Sequence, residues 1–67
     1  MFTLKQARLL CDKTQKQMAE SLSVSRDTYR KIEENPDVAT IKQAKLICKI
    51  TGLSIDQIFF DKDIYLK

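Results

Sequence analysis

The 67-residue sequence has no histidine, one glycine, one proline and two cysteines. Without histidine, a glycine-rich phosphate loop or paired carboxylates, the chain lacks the usual groups of an active site, and we expect no enzyme activity. With so little glycine and proline and 43% apolar residues, it is neither a disordered tail nor a loop-rich scaffold. No apolar stretch approaches the length of a membrane-spanning helix. These absences indicate a single small, ordered domain near the lower size limit for a self-sufficient core.

The two cysteines, Cys11 and Cys48, fall within predicted helices. Two thiols without histidine cannot supply the four ligands of a structural zinc site, so we predict no metal and no other cofactor. A single disulfide is conceivable, but we favour free thiols in a reducing cytoplasm. Lys5, Gln6 and Arg8 interrupt the N-terminal apolar residues, which argues against a signal peptide. We therefore expect a cytoplasmic protein with no membrane association and no small-molecule ligand.

The positive charge is unevenly placed. The net charge is +3, yet residues 1–31 hold seven Lys/Arg against three acids, whereas residues 32–67 hold five against six. A basic half of this kind is typical of proteins that bind nucleic acid. A solvated surface that happens to be basic explains the same charge equally well.

The stretch 14–33, TQKQMAESLSVSRDTYRKIE, predicts two short helices joined by a tight turn. Thr14, with Gln17 three places on, suits a helix N-cap, and Ser25 suits a second one. Apolar residues recur at helical spacing around the break at Ser23 and mark the buried face: Met18, Ala19, Leu22, Val24, Tyr29 and Ile32. Two helices this short cannot bury their apolar stripes alone, so the rest of the chain must complete the core.

This stretch resembles the helix-turn-helix of phage repressor and Cro-like regulators, the lambda-repressor-like (XRE) family. The apolar positions fall where that family has them, and Ala19 lies where two helices cross closely. The resemblance extends to Arg8, to Glu33 and to TGLSIDQIFF at 51–60, which together cover about four-fifths of the chain.

The sequence departs from the family pattern at two turns and one core position. The usual turn glycine is Ser23, and the usual Ile or Val is Tyr29. Asp12 and Lys13 stand where a glycine and an apolar residue usually precede the second helix. These differences concern the local backbone rather than the fold.

The resemblance implies an all-α fold, a five-helix lambda-repressor-like DNA-binding domain with the helix-turn-helix formed by helices 2 and 3. We predict a domain at 1–60 and a C-terminal tail at 61–67 that packs or dimerises. The helices are expected at about 3–12, 14–22, 25–33, 40–51 and 55–60. The segment 34–39 predicts a loop, because Asn35-Pro36 cannot continue a helix, and Gly52 predicts the end of helix 4. Further inward-facing residues are predicted from the periodicity: Leu4, Ala7, Leu10, Cys11, Ile41, Ala44, Ile47, Cys48, Thr51, Ile55, Ile58 and Phe59.

Arg8 lies at the edge of the buried face of helix 1. Without the resemblance, Arg8 would be interpreted as a surface arginine whose aliphatic part packs on the protein while its charge stays in solvent. The resemblance implies a structural salt bridge to Glu33, because the family pairs the residues at these positions. We favour the salt bridge, with the role of locking helix 1 to helix 3.

For function, the resemblance implies that helix 3 reads base edges in the major groove while the start of helix 2 faces phosphates. The predicted base contacts are Ser25, Arg26, Asp27, Thr28 and Lys31. The predicted phosphate contacts are Thr14, Gln15, Lys16, Arg30 and Lys42. Arg26 can bind guanine O6 and N7 together, whereas Asp27 could accept from cytosine, orient Arg26 or act as a first-turn helix charge. In the family, the glutamine at the position of Gln15 bonds a phosphate and braces the first recognition residue.

One arginine–guanine contact cannot specify an operator, so we expect a homodimer on palindromic double-stranded DNA. A possible dimer surface combines Leu9, Leu46, Phe60, Ile64, Tyr65 and Leu66. Alternatively, the tail folds back over Leu46 and Ile50. We predict a sequence-specific transcriptional regulator of prokaryotic or phage type, acting as a repressor. The alternative is a protein-binding module with the same fold, such as an antitoxin or an accessory subunit.

Overall fold

A computed structural model of the chain describes residues 3–59. Within this range there are five α-helices, one short 3-10 helix and no strand, which confirms the all-α, five-helix fold class. The helices are α1 (Leu4–Leu10), α2 (Gln15–Leu22), α3 (Arg26–Glu34), α4 (Ile41–Thr51) and α5 (Ile55–Ile58). The segment predicted as a loop contains the 3-10 helix, Pro36–Val38. The predicted domain boundary at residue 60 and the tail at 61–67 lie outside the described residues.

Four helices begin with the same Thr/Ser-x-x-Gln pattern. Thr14 Oγ1 accepts the N–H of Gln17 at 3.0 Å, and Gln17 Oε1 accepts the N–H of Thr14 at 2.9 Å. The same reciprocal bonds join Thr3 to Gln6 and Thr40 to Gln43 at the starts of α1 and α4. At α5, the Gln57 side chain accepts the N–H of Ser54 at 2.8 Å. Each pair satisfies backbone donors that the first helical turn leaves free.

The core lies between α2, α3 and α4, with α1 and α5 closing its ends. Its fully buried members include most of the predicted inward positions: Leu4, Ala7, Met18, Ala19, Leu22, Tyr29, Ile32, Ile47 and Ile58. Cys11 and Cys48 are free thiols that are only half-buried. Burial raises the pKa of the Cys48 thiol, whereas Cys11 Sγ donates to the carbonyl of Thr51 at 3.5 Å.

Three inward predictions are wrong, because each residue lies beside the covered part of its helix. Ile41 is 75% exposed: it is the first residue of α4, beyond the turn that packs on the core. Leu10 is 66% exposed because the buried stripe of α1 passes through Leu4 and Ala7, and Leu10 projects from another side. Ile55, the first residue of the short α5, is exposed as well. Leu46, which belongs to the possible dimer surface, is half-buried against the core.

The two turns flanking α2 both use a left-handed residue. Ser23, at the end of α2, has φ 57° and ψ 40°, and Asp12, before α2, also has φ 57°. A glycine adopts this conformation without steric cost, whereas a residue with a Cβ does not. The turns therefore keep a glycine-like backbone although the sequence has replaced glycine at both positions. Gly52 ends α4 with φ 75°, as predicted.

Candidate nucleic-acid interface

The α2–turn–α3 unit is the most closely packed pair of neighbouring helices in the described chain. The left-handed Ser23 reverses the chain, and the N–H of Val24 then bonds the carbonyl of Ala19 at 3.0 Å. Val24 packs against the core beneath the turn. Ser25 caps α3 through the N–H of Thr28 at 3.1 Å. This backbone fixes α3 on α2 with its polar face outward.

Arg8 and Glu33 form the ion pair that the resemblance implied. Arg8 Nε lies 2.7 Å from Glu33 Oε2, and the two side chains are only 9% and 6% exposed. Arg8 Nη2 also donates to Glu33 Oε1 at 3.4 Å, and Arg8 Nη1 donates to the carbonyl of Lys13 at 2.8 Å. Burial raises the pKa of Glu33, but the hydrogen bonds that this carboxylate accepts, with the one from Arg8 the strongest, together outweigh burial and hold the pKa below its usual value. The pair thus ties α1, the turn before α2 and the end of α3 together.

Gln15 belongs to the same network, which differs from what the resemblance implied. Its Nε2 donates to Glu33 Oε1 at 3.3 Å. Glu33 offers more acceptor sites than Arg8 occupies, so the amide of Gln15 bonds this carboxylate in the free protein. Gln15 therefore braces the C-terminal end of the predicted recognition helix, although it lines a groove with Arg26 as well.

Tyr29 is fully buried next to this network. Its hydroxyl has no hydrogen-bond partner of good geometry among residues 3–59. Burial raises the pKa of Tyr29 far above its usual value. The nearby carboxylate of Glu33 raises it further, because a protonated hydroxyl can face this carboxylate as a donor whereas a phenolate would be repelled, so the hydroxyl stays protonated. The departure from Ile or Val at this position thus places one polar atom in the core.

The predicted base contacts lie on the exposed face of α3, where Asp27 pairs with two cations, Arg30 and Lys31, while Arg26 stays outside these pairs. Asp27 Oδ1 lies 2.8 Å from Arg30 Nη2, and Asp27 Oδ2 lies 3.4 Å from Lys31 Nζ. Arg30 also pairs with Glu34 at 2.6 Å. The suggestion that Asp27 orients Arg26 is therefore wrong for the free protein. The adjacent Arg26 projects in another direction, whereas residues three and four places on share the face of Asp27.

The second predicted set meets the first in one open groove. The end of α1, the turn after it, the N-terminal end of α2 and the start of α3 line this groove together: Arg8, Leu9, Asp12, Lys13, Thr14, Gln15, Lys16 and Arg26. Three of the cations, Lys13, Lys16 and Arg26, are exposed there. Lys13 was absent from the predicted sites. The sequence could have indicated Lys13 as a phosphate contact, because this cation directly precedes the N-cap residue of α2.

Other predicted site residues lie apart from this groove. Lys42 and Leu46 line a groove on α4 with Ile41, Lys45 and Lys49. Leu9, which is 53% exposed, lines the groove at α2 instead. Leu9 and Leu46 therefore line different grooves. Phe60, Ile64, Tyr65 and Leu66 lie outside the described residues, so the dimer surface stays a prediction.

The described residues include neither a candidate metal-binding cluster nor a membrane-spanning helix. No group of three or more His, Cys, Asp or Glu side chains able to hold a metal ion occurs within residues 3–59. In the same part of the chain, no helix is long and apolar enough to cross a membrane.

Comparison with known proteins identifies the family of the chain. A family model described as helix-turn-helix matches residues 4–58. No curated protein sequence and no solved structure gives a significant match to the chain. The family match spans all five helices, including the α2–turn–α3 unit, the Arg8–Glu33 pair and the basic groove. The chain therefore belongs to the lambda-repressor-like (XRE) family of helix-turn-helix proteins, which are DNA-binding transcription regulators.

Proposed function

We propose that the protein is a sequence-specific repressor that binds a palindromic operator as a homodimer and reads the major groove with α3. The observation that carries this proposal is the continuity of the groove at α2 with the exposed face of α3. Arg26 belongs to both, so one docked duplex could contact the phosphate set and the base set together.

The two sets would have separate tasks. Lys13 and Lys16 flank the N-terminus of α2, where free backbone N–H groups and the positive end of the helix dipole attract a phosphate. Arg26, exposed at the first position of α3, would bind guanine O6 and N7. Ser25 and Thr28 bond to each other at 2.9 Å and are available only at the margin of the base set. Lys42 could add a phosphate contact from α4.

Homodimerisation follows from the size of the domain. One module of this kind buries roughly 600–1,000 Å² on DNA, and competition from genomic DNA demands more than one half-site supplies. Two copies related by a two-fold axis would present α3 at intervals of about 34 Å, one turn of duplex. Ile41 and Leu46 on α4 form the apolar contact surface that we favour for the dimer.

The exposed apolar surface on α4 also supports a second candidate function. A protein-binding module, such as an antitoxin or accessory subunit, would use Ile41 and Leu46 to hold a partner rather than a second copy. The two functions differ in what α3 is for. A module that binds only protein has no need of the exposed cation Arg26 next to a helix N-terminus.

The test is selection of bound duplexes from a randomised pool, followed by fluorescence-anisotropy titration. We expect a palindrome with half-sites about one turn apart, and in Arg26→Ala a loss of about 1–3 kcal/mol of discrimination at one base of each half-site. Lys5→Ala is the matched control, because it removes one exposed positive charge from α1, and Lys5 lines neither the groove at α2 nor the groove on α4. Equal weakening by both variants on all sequences would reject the proposal and favour the protein-partner function.

A further inference from the structure

The recognition helix of this basic protein is electrically neutral. Helix α3 has three cations and three acids: Arg26, Arg30, Lys31, Asp27, Glu33 and Glu34. Glu33 is buried against Arg8, which belongs to α1. The acids that remain on the exposed face are Asp27 and Glu34, and both bind Arg30.

Asp27 alone contacts both Arg30 and Lys31. One carboxylate oxygen binds Arg30 at 2.8 Å and the other faces Lys31 at 3.4 Å. Among residues 3–59, Arg26 is the α3 cation without an ion pair. Among the described residues, the unpaired positive charge of the interface therefore lies in the groove at α2, whereas Arg30 and Lys31 on the exposed face of α3 are paired with Asp27 and Glu34.

We propose that Asp27 is a specificity-determining residue that acts chiefly by weakening binding to non-operator DNA. It keeps Arg30 and Lys31 in ion pairs on any duplex that lacks a hydrogen-bond donor opposite its carboxylate. The proposal rests on the proposed function, because it assumes that α3 enters the major groove.

The reasoning concerns the two modes of binding DNA. Non-specific affinity comes from cations that displace counterions from phosphates. Arg30 and Lys31 contribute little to it while Asp27 binds them, and the carboxylate itself is repelled by the phosphates. On an operator, the amino group of a cytosine can donate to Asp27 and replace the cations, which then reach phosphate or guanine.

Replacing the cations at Asp27 by a base donor costs little free energy because the ion pairs are exposed. The side chains of Asp27, Arg30 and Lys31 are 62%, 46% and 64% exposed, and ion pairs in such positions contribute little to stability. Water therefore competes for these contacts already in the free protein. A single well-placed base donor is then sufficient to change which groups the carboxylate binds.

Three variants separate charge from geometry. Asp27→Asn removes the negative charge and keeps the shape of the side chain. Asp27→Glu keeps the charge but moves the carboxylate. Glu34→Gln is the matched control, because it also removes one negative charge and one ion pair of Arg30 but leaves Asp27 and its ion pairs in place. Each is titrated with the selected operator and with a random duplex over a range of salt concentrations, and thermal unfolding verifies that it folds.

For Asp27→Asn we expect tighter binding to the random duplex and a slope of log K against log salt that is steeper by about 0.9. This steeper slope means that the affinity of Asp27→Asn should fall by an additional factor of about 3.5 between roughly 50 and 200 mM salt. The ratio of operator to random affinity should fall about tenfold. Asp27→Glu should keep the wild-type salt dependence but lower the ratio of operator to random affinity in part. Glu34→Gln should keep the wild-type ratio of operator to random affinity.

Two results would overturn the inference. In the first, Asp27→Asn changes affinity for operator and random duplex by the same factor. In the second, Glu34→Gln lowers the ratio as much as Asp27→Asn does. In either case the wild type would still select an operator, so the proposed function would stand. A wild type without sequence preference would reject both.

Discussion

The left-handed Ser23 predicts that a single substitution will stabilise the protein. Ser23 has φ 57° and ψ 40°. An L-residue in this region costs roughly 1–2 kcal/mol, which glycine avoids. Glycine also increases the conformational freedom of the unfolded chain, which offsets about 0.4–1 kcal/mol of that gain. We therefore expect Ser23→Gly to raise the free energy of unfolding by about 0.5–1 kcal/mol.

The side chain of Ser23 gives no reason for a compensating loss. It is exposed, and its hydroxyl makes no hydrogen bond with other residues in the range 3–59. For a domain of this size, the expected change corresponds to a rise in melting temperature of roughly 2–8 °C. Thermal and urea unfolding followed by far-ultraviolet circular dichroism measures both quantities.

Ser21→Gly is the control for Ser23→Gly. Ser21 lies within α2, and its hydroxyl bonds the carbonyl of Gln17 at 3.0 Å. Because glycine is a poorer helix residue than serine, Ser21→Gly should lower the stability by about 0.5 kcal/mol. The same substitution at two positions two residues apart should thus change the free energy of unfolding in opposite directions. Destabilisation by Ser23→Gly would show that the turn is not strained and would refute the reasoning.

Two further predictions concern the buried network. Tyr29→Phe should leave the fold intact and raise the free energy of unfolding by up to about 1 kcal/mol, because it removes a buried hydroxyl without a partner. A fall in stability on urea unfolding would instead reveal a hydrogen bond of Tyr29 in solution. The stability should also decrease as the pH falls below about 4.5, the usual pKa of a Glu33-type carboxyl. Hydrogen bonds from Arg8 lower the native pKa of Glu33, so the unfolded state binds the proton first, and acid titration of unfolding tests this. In Arg8→Met, burial of Glu33 is opposed only by the weaker remaining bonds, such as the one from Gln15, so that part of the pH dependence should become smaller.

The helices could be predicted from the sequence because local signals mark both of their ends. Thr14 with Gln17 and the left-handed Gly52 are short-range features, and the inward stripe repeats every three to four residues. The exposure of Ile41 could not be predicted in this way. Periodicity shows which side of a helix is apolar, but not how far along the helix its neighbours extend.

In the candidate site too, short-range contacts could be predicted from the sequence, whereas contacts between distant residues could not. The Arg8–Glu33 pair joins residues 25 positions apart, so spacing alone could not indicate it, and only the family resemblance did. The partners of Asp27, in contrast, were accessible, because a helix sets residues three and four places apart side by side. Whether Gln15 would bind Glu33 or a phosphate depends on which acceptor is present, and the sequence does not contain the ligand.

The Thr–Gln pairs at the helix starts have a consequence for how the protein would release DNA. Helices α1, α2 and α4 have no acid in their first turn, so uncharged side chains satisfy their backbone donors. Neutral hydrogen bonds are insensitive to ionic strength, whereas contacts between lysine and phosphate weaken steeply as salt rises. Salt should therefore dissociate the complex long before it loosens a helix. The folded domain would leave one site unchanged and be ready to bind the next.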